Sequence, residues 1–301
     1  MGRRRTGRNI HGILLLNKPV GISSNAALQR VKRLYNARKA GHTGSLDNLA
    51  SGLLPICLGE ATKLSGYLLE ADKYYQAEFT LGVTTETGDA EGEVLQTRPI
   101  TGIDQSKIET AIQSFLGTIE QVPPMYSAIK HKGQPLYKLA RQGKVVERKA
   151  RTVIIHSFKV LSFADNRLSV EVHCTKGTYI RTLAEDLGEM LGCGAHVTVL
   201  HRFGVGSYRD LFDFETLETY AEKGLEALDS LLMPVHSALS HWPEVKLTDD
   251  IAYYVRQGDA VQVSQAPASG WVKLFTEDAQ FIGIAEILED GRIAPRRIMN
   301  L

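Results

Sequence analysis

The stretch that most restricts how this chain folds is Gly41-His42-Thr43-Gly44-Ser45-Leu46-Asp47-Asn48-Leu49-Ala50-Ser51-Gly52, with three glycines in twelve residues. Glycines at this density mark a loop whose backbone turns sharply or lies close to something else. Asp47 sits inside the loop and is the first acidic residue of the chain. Ten cations precede it, from Arg3 to Lys39. Two readings follow from the residues alone. Asp47 makes an Asx turn that caps Leu49 to Pro55, or it is a nucleophile or base on a rigid turn beside a surface that collects a polyanion.

The charge distribution suggests a polyanion-facing end and leaves both readings of Asp47 open. Ten of the 35 Lys and Arg fall in residues 1–46, which hold no acid, and the other 25 face 34 acids. The net charge of +1 conceals this asymmetry, which marks one end of the chain as facing a polyanion. Residues 1–9 are expected to be a disordered basic tail. From Lys18 to Lys39 the bases are instead interleaved with apolar positions at helical spacing. A chain of 301 residues with 43% hydrophobic and 23% charged residues describes a soluble globular protein with room for two domains. Cys57, Cys174 and Cys193 are far apart and odd in number, which gives neither a zinc spacing nor a disulfide framework. The run Ile13–Leu16 is too short for a signal peptide's apolar region. No stretch approaches the roughly 20 apolar residues of a membrane span. A cytoplasmic protein that needs neither metal nor membrane is expected.

Taken in order, Gly12–Leu16 reads as a short buried strand. Asn17-Lys18-Pro19 turns the chain, and Ser23 or Ser24 caps a helix in which Ala27, Val31 and Leu34 share a face. After the Asp47 loop, residues 59–69 lead into a helix. Lys73 to Val83 alternates: Tyr75, Ala77, Phe79 and Leu81 face one way, Tyr74, Gln76, Glu78 and Thr80 the other. Tyr75 therefore points inward. Gly88–Gly92 is a turn whose acids lack the EF-hand pattern. Ser106–Phe115 is a helix. Residues 130–151 hold eight bases and one acid, Glu147, with Tyr137 and His131 among them. Thr152–Phe163 and Arg167–Cys174 form a hairpin turning at Asp165-Asn166. Ile180, Leu183, Ala184, Leu187 and Leu191 fit an amphipathic helix. Arg181 lies at its first turn, off that stripe, where the helix dipole is already positive, so it calls for an anionic partner. Gly192–Arg202 is a Gly-bounded strand, and Phe214–Leu231 one helix. Near Trp242 the character changes to short β-like runs at 260–263, 270–275, 281–287 and 292–295.

The string Gly-His-Thr-Gly-x-Leu-Asp-x-x-Ala-x-Gly-x-Leu-Pro resembles the catalytic-aspartate motif of the tRNA pseudouridine-55 synthases, the TruB family. One departure is Asn48, where that family commonly has Pro. Lys18-Pro19, Asp72-Lys73-x-Tyr75, Lys176–Arg181 and Leu200 match further motifs. The resemblance covers about Gly12 to Arg202 and, loosely, the tail. It implies a pseudouridine synthase fold: α+β, with a mixed, mostly antiparallel sheet and flanking helices. A catalytic domain of residues 1–241 would be followed by a small β-rich, PUA-like RNA-binding domain of residues 242–301.

The same resemblance implies a reaction and its residues. Uridine 55 in the TΨC loop of tRNA would be flipped out, detached at N1, turned and rejoined through C5, with no cofactor. Asp47 would be the nucleophile and Arg181 its partner. Tyr75 would stack on the base, Tyr179 would line the uridine pocket, and Leu200 would pack against the flipped base. His42 would fill the vacated space or hold the flipped nucleotide. Lys18, Arg30, Lys130, Lys132 and Arg141 are the candidates for gripping the RNA backbone. The implied partner is the T-arm of tRNA, with a monomeric enzyme and no protein partner. Two rivals are a non-catalytic tRNA-binding or folding module and a pseudouridine synthase acting on another RNA, such as ribosomal RNA.

Overall fold

The computed structural model describes residues 7–301, so Met1–Thr6 of the expected tail lie outside the described residues. The described part of that tail is not free. Arg8 bridges Ala37, and its guanidinium pairs with Asp229 at 2.5 Å.

The first apolar run is a strand, β1 (Gly12–Lys18), followed by α1 (Ser24–Leu34), β2 (Ala40–His42) and β3 (Ser51–Leu58). Ser23 caps α1 by accepting from the Ala26 amide. A 3₁₀ turn at Gly59–Lys63 leads to α2 (Ser65–Glu70) and β4 (Lys73–Leu81). Then come β5 (Val83–Thr85), β6 (Val94–Thr97), α3 (Gln105–Gln113) and β7 (Gly117–Gln121). The basic segment folds as a small hairpin, β8 (Lys130–His131) and β9 (Gln134–Pro135), with a short helix, α4 (Leu136–Ala140). Two long strands, β10 (Arg151–Ala164) and β11 (Arg167–Cys174), precede α5 (Ile180–Met190) and β12 (Ala195–Val205).

These strands build one mixed sheet in the order β1-β3-β12-β4-β11-β10-β7, with β2 added on β3. Every pairing in it is antiparallel except the short parallel contact of β12 with β3. Strand β4 lies at the centre because its alternation suits it to a sheet covered on one face. Tyr75, Ala77, Phe79 and Leu81 are all buried, and they join α5 in the main core. The hairpin turns where expected, with Asp165 in the left-handed region at φ 54°.

The single helix expected over Phe214–Leu231 is two, α6 (Phe214–Glu222) and α7 (Leu225–Asp229). Gly224 between them has φ 111°, which no helix accommodates. Past it, β13 (Glu244–Leu247) lies parallel to β14 (Gly270–Thr276), and β15 (Phe281–Ile287) and β16 (Ile293–Ile298) complete a second sheet. Helix α8 (Asp249–Gln257) ends at Gly258 in the left-handed conformation, which glycine adopts freely. The run at 260–263 contributes only a bridge from Val261 to Ile293, while β13 went unread. Phe275, Phe281, Ile284 and Met299 pack with Ile13, Leu15 and Leu53, so the second sheet shares a core with the first. Among the described residues no helix is long and apolar enough to cross a membrane.

Candidate active site

The Asp47 loop is held from three sides. The Leu46 amide donates to Ser24 Oγ (2.8 Å), which itself donates to the Leu46 carbonyl (3.0 Å). The Gly21 amide donates to the Asn48 carbonyl at 2.8 Å. Arg202, fully buried on β12, donates to the carbonyls of Leu53 (2.8 Å) and Gly44 (2.9 Å) and so ties both ends of the loop to the sheet. Gly52 has φ +104°, and a Cβ there would lie 2.2 Å from the Arg202 carbonyl oxygen, so only glycine fits.

Held in this way, the loop presents the Asp47 carboxylate to Arg181 rather than to its own backbone. Asp47 Oδ2 lies 2.9 Å from Arg181 Nη2. The Asp47 side chain is 45% exposed at the mouth of a cleft, whereas that of Arg181 is 5% exposed. Arg181 is off the apolar stripe of α5, as its position predicts, yet it is buried, with polar partners at both terminal nitrogens of its guanidinium. It donates to the carbonyls of Thr87 (2.9 Å) and Tyr126 (2.8 Å), and Asp89 Oδ2 lies 3.5 Å from Nη1. Asp89, read from sequence only as part of a turn, is thus a second buried anion on the same cation. Recess from water pushes the Asp47 carboxyl above its ordinary value, while Arg181 pulls it back and Asp89 adds to the rise. Glu185, one turn along α5, is pushed up to about 7, chiefly by burial and against the pull of Arg181.

Two hollows meet at this pair. One, of about 400 Å³, is lined by Asp47, Tyr75, Tyr179, Arg181 and Leu200. Tyr75 and Leu200 form its apolar wall. Both are buried, on neighbouring strands in register with Val172 and Ala77. Tyr179 is placed by a residue that sequence reasoning missed: buried Gln121 accepts from the Tyr179 amide (2.7 Å) and donates to its carbonyl (3.0 Å). Burial raises both phenols, Tyr75 and Tyr179, above their ordinary values. The second hollow, about 490 Å³, shares Asp47 and Arg181 and adds His42, Asp89, Tyr126, Tyr137 and Arg141. His42 Nδ1 is buried there without a hydrogen-bond partner, and burial lowers its basicity.

The basic residues divide. Arg141 lines the second hollow. Lys130 is exposed and borders a separate cavity with Arg148, Lys149 and Arg151. Lys132 is exposed at the tip of the β8–β9 hairpin, with φ 48°. Arg30 is exposed but engaged: it pairs with Glu218 and lies 4.0 Å over the Phe214 ring. Lys18 corrects the sequence reading. It is fully buried, and its ammonium donates to the carbonyls of Pro19 (2.8 Å) and Ile22 (2.9 Å), so it faces inward and not toward an RNA backbone. Burial lowers it to about 8, against the pull of Asp47. Sequence cannot separate this lysine from its neighbours, because the carbonyls that hold it carry no side-chain signature.

Three family models tile the chain. One for the N-terminal domain of TruB family pseudouridylate synthases matches residues 32–180. One for the tRNA pseudouridylate synthase B C-terminal domain matches 181–240, and one for the C-terminal region of pseudouridine synthase II TruB matches 243–299. The tRNA pseudouridine synthase B of Nitrosococcus oceani is 61% identical over 299 residues, 99% of this chain and 97% of that protein. Its namesake in Pseudomonas aeruginosa is 54% identical over 300 residues, 99% of this chain and 98% of that one. Among solved structures, one titled as a Cbf5-Nop10-Gar1 complex matches with a TM-score of 0.73 at 25% identity, covering 95% of this chain and 84% of the other. One titled as an H/ACA RNP bound to a substrate RNA containing 2'-deoxyuridine has the same fold, with a TM-score of 0.73 at 22% identity over 99% and 91% of the two chains. With the fold, the Asp47 loop and nearly full-length relatives in agreement, the chain belongs to the TruB family of pseudouridylate synthases.

Proposed function

We propose that this protein isomerises uridine 55 in the TΨC loop of tRNA to pseudouridine, with Asp47 as nucleophile. The observation that carries the reading is the Asp47–Arg181 pair at the junction of an apolar hollow and a polar one. The names of the two relatives described above supply the substrate class, tRNA. Residue types supply the chemistry. Asp47 attacks in its ionised form, which Arg181 favours. Tyr75 and Leu200 offer apolar faces to a uracil that has left its sugar and must not diffuse away. The base turns within the hollow and is rejoined through C5, so leaving group and returning nucleophile are one molecule and no cofactor takes part. Extruding the base costs a few kcal/mol, and His42, on the other side of Asp47, supports the displaced nucleotide. Arg141, Lys130 and Lys132 grip phosphates. Residues 242–301 act as a PUA-like domain that extends the RNA contact from the catalytic domain, 1–241.

The test is a purified isolated T-arm stem-loop, with pseudouridine mapped at each uridine. Conversion of the uridine equivalent to position 55 alone is the expected result. No conversion there, with conversion in a ribosomal RNA fragment, would move the substrate to another RNA. Binding without any conversion would leave a non-catalytic module.

A further inference from the structure

Away from the cleft, three strands bring Asp72, His156 and His173 together. Asp72 stands just before β4, His156 on β10 and His173 on β11. Asp72 Oδ2 lies 3.2 Å from His156 Nε2 and 3.3 Å from His173 Nε2, and the three atoms lie within 4.8 Å of one another. Zinc bound to nitrogen and oxygen at its usual distances sets tetrahedral ligand atoms about 3.3 Å apart. Two edges of such a tetrahedron are therefore already formed.

Other observations show that the cluster is built. The β10–β11 register shifts between Ile155 and Ser157, which places a bulge at His156. Bulges re-aim side chains out of the regular alternation. His173 stacks on Tyr74, with ring centroids 4.0 Å apart and planes 12° apart, and the Arg209 guanidinium lies 3.8 Å over that Tyr74 ring. The His173 Nε2 atom is buried, and Asp72 Oδ2, at 3.3 Å and outside good hydrogen-bond geometry, is its only polar neighbour among the described contacts. A buried ring nitrogen with so poorly aligned a contact is costly, and coordination would relieve it. The Asp72 and His156 side chains are 37% and 36% exposed, which leaves an entry path.

We propose that Asp72, His156 and His173 bind one divalent transition-metal ion of the zinc type, with water at the fourth position. Two imidazoles and one carboxylate are a donor set suited to such an ion and not to magnesium or calcium, which favour all-oxygen ligands. The ion ties the start of β4 to β10 and β11. It acts as a structural clamp at the root of the strand that carries Tyr75.

The test titrates ZnCl2 into the untagged, chelator-treated full chain at neutral pH by calorimetry, alongside His156→Gln and Asp72→Asn. One site per chain with micromolar or tighter affinity is expected. The unfolding midpoint should rise by on the order of 5 °C at a hundredfold excess over Kd. His156 is partly exposed, so His156→Gln should unfold at the wild-type temperature without zinc and lose the zinc-dependent rise, with affinity at least thirtyfold weaker. Wild-type protein that fails to bind zinc below about 100 µM, or binding of wild-type strength in both variants, overturns the proposal.

Discussion

The two hollows that meet at Asp47 and Arg181 are built from opposite materials. One wall is made of β-strand side chains, Tyr75 and Leu200, locked by register in the middle of the sheet. The other is made of turn and loop residues, with Asp89, Tyr126 and Arg141 around His42. A wall set by strand register can fix the plane of a base but adapts poorly. Loops carry exposed cations that can follow a flexible backbone. On the proposed reading, the sheet side does the chemistry and the loop side holds the RNA, so substitutions on the two sides should fail in different ways.

The largest effect is expected at the junction. Asp47→Asn should lower turnover by at least ~10³–10⁴ while tRNA binding stays within about tenfold. Measured activity above a few per cent of wild type would remove Asp47 from the nucleophile's role. Arg181→Ala should cost on the order of 10²–10³ in rate with little change in salt dependence. It should also alter the pH profile. Asp47 must be ionised, and its carboxyl already sits above the ordinary value, so activity should rise with pH through that raised value. Removing the cation raises it further, and the acid limb of the single-turnover rate should move to higher pH. A limb that moved to lower pH would contradict the pairing.

On the sheet side, Tyr75→Leu should lose on the order of 10–10² in single-turnover rate with the fold intact by circular dichroism. An unfolded variant whose folded fraction is active would make Tyr75 a core residue only. On the loop side, Lys130, Lys132 and Arg141 replaced together by Ala should weaken tRNA binding and flatten the salt slope by about one unit per lost phosphate contact. The rate at saturating RNA should hold. Wild-type affinity and slope in that triple variant would make the segment solvated surface. The smallest effect is expected at Glu185. Burial pushes its carboxyl up to about 7, toward the neutral form that glutamine mimics, so Glu185→Gln should change the rate by less than about threefold. It should also abolish the titration near that pH.

What could be read in advance follows the same division. The inward register of Tyr75 came from period-two alternation, and the need for an anion at Arg181 from the charge of a helix N-terminus. Both are local signals. Asp89, Gln121 and Arg202 were missed because each acts through a backbone group or a cation distant in sequence, and none carries a local signature. Lys18 was misread for the same reason: its spacing looks like that of any basic residue, and only the folded chain shows the carbonyls around it. The Asp72–His156–His173 cluster is invisible to any search by ligand spacing, since its members are far apart in sequence and meet only through the pairing of β4, β10 and β11. The break at Gly224 had a local cue, the glycine itself, which the apolar pattern on either side outweighed.

Strand β12 has one further consequence. It is the last strand of the large sheet to leave the ribosome, yet it supplies Arg202, which holds the Asp47 loop, and it alone joins β3 to β4. The loop is made early in synthesis, yet its tie to the sheet waits until some 150 later residues have followed it. A nascent chain cut anywhere before residue 195 therefore carries the whole aspartate motif with its Ser24 and Gly21 contacts but without Arg202, which ties both ends of the loop to the sheet. Catalytic competence arrives late and all at once during translation, and no N-terminal fragment of the chain should act as a smaller enzyme.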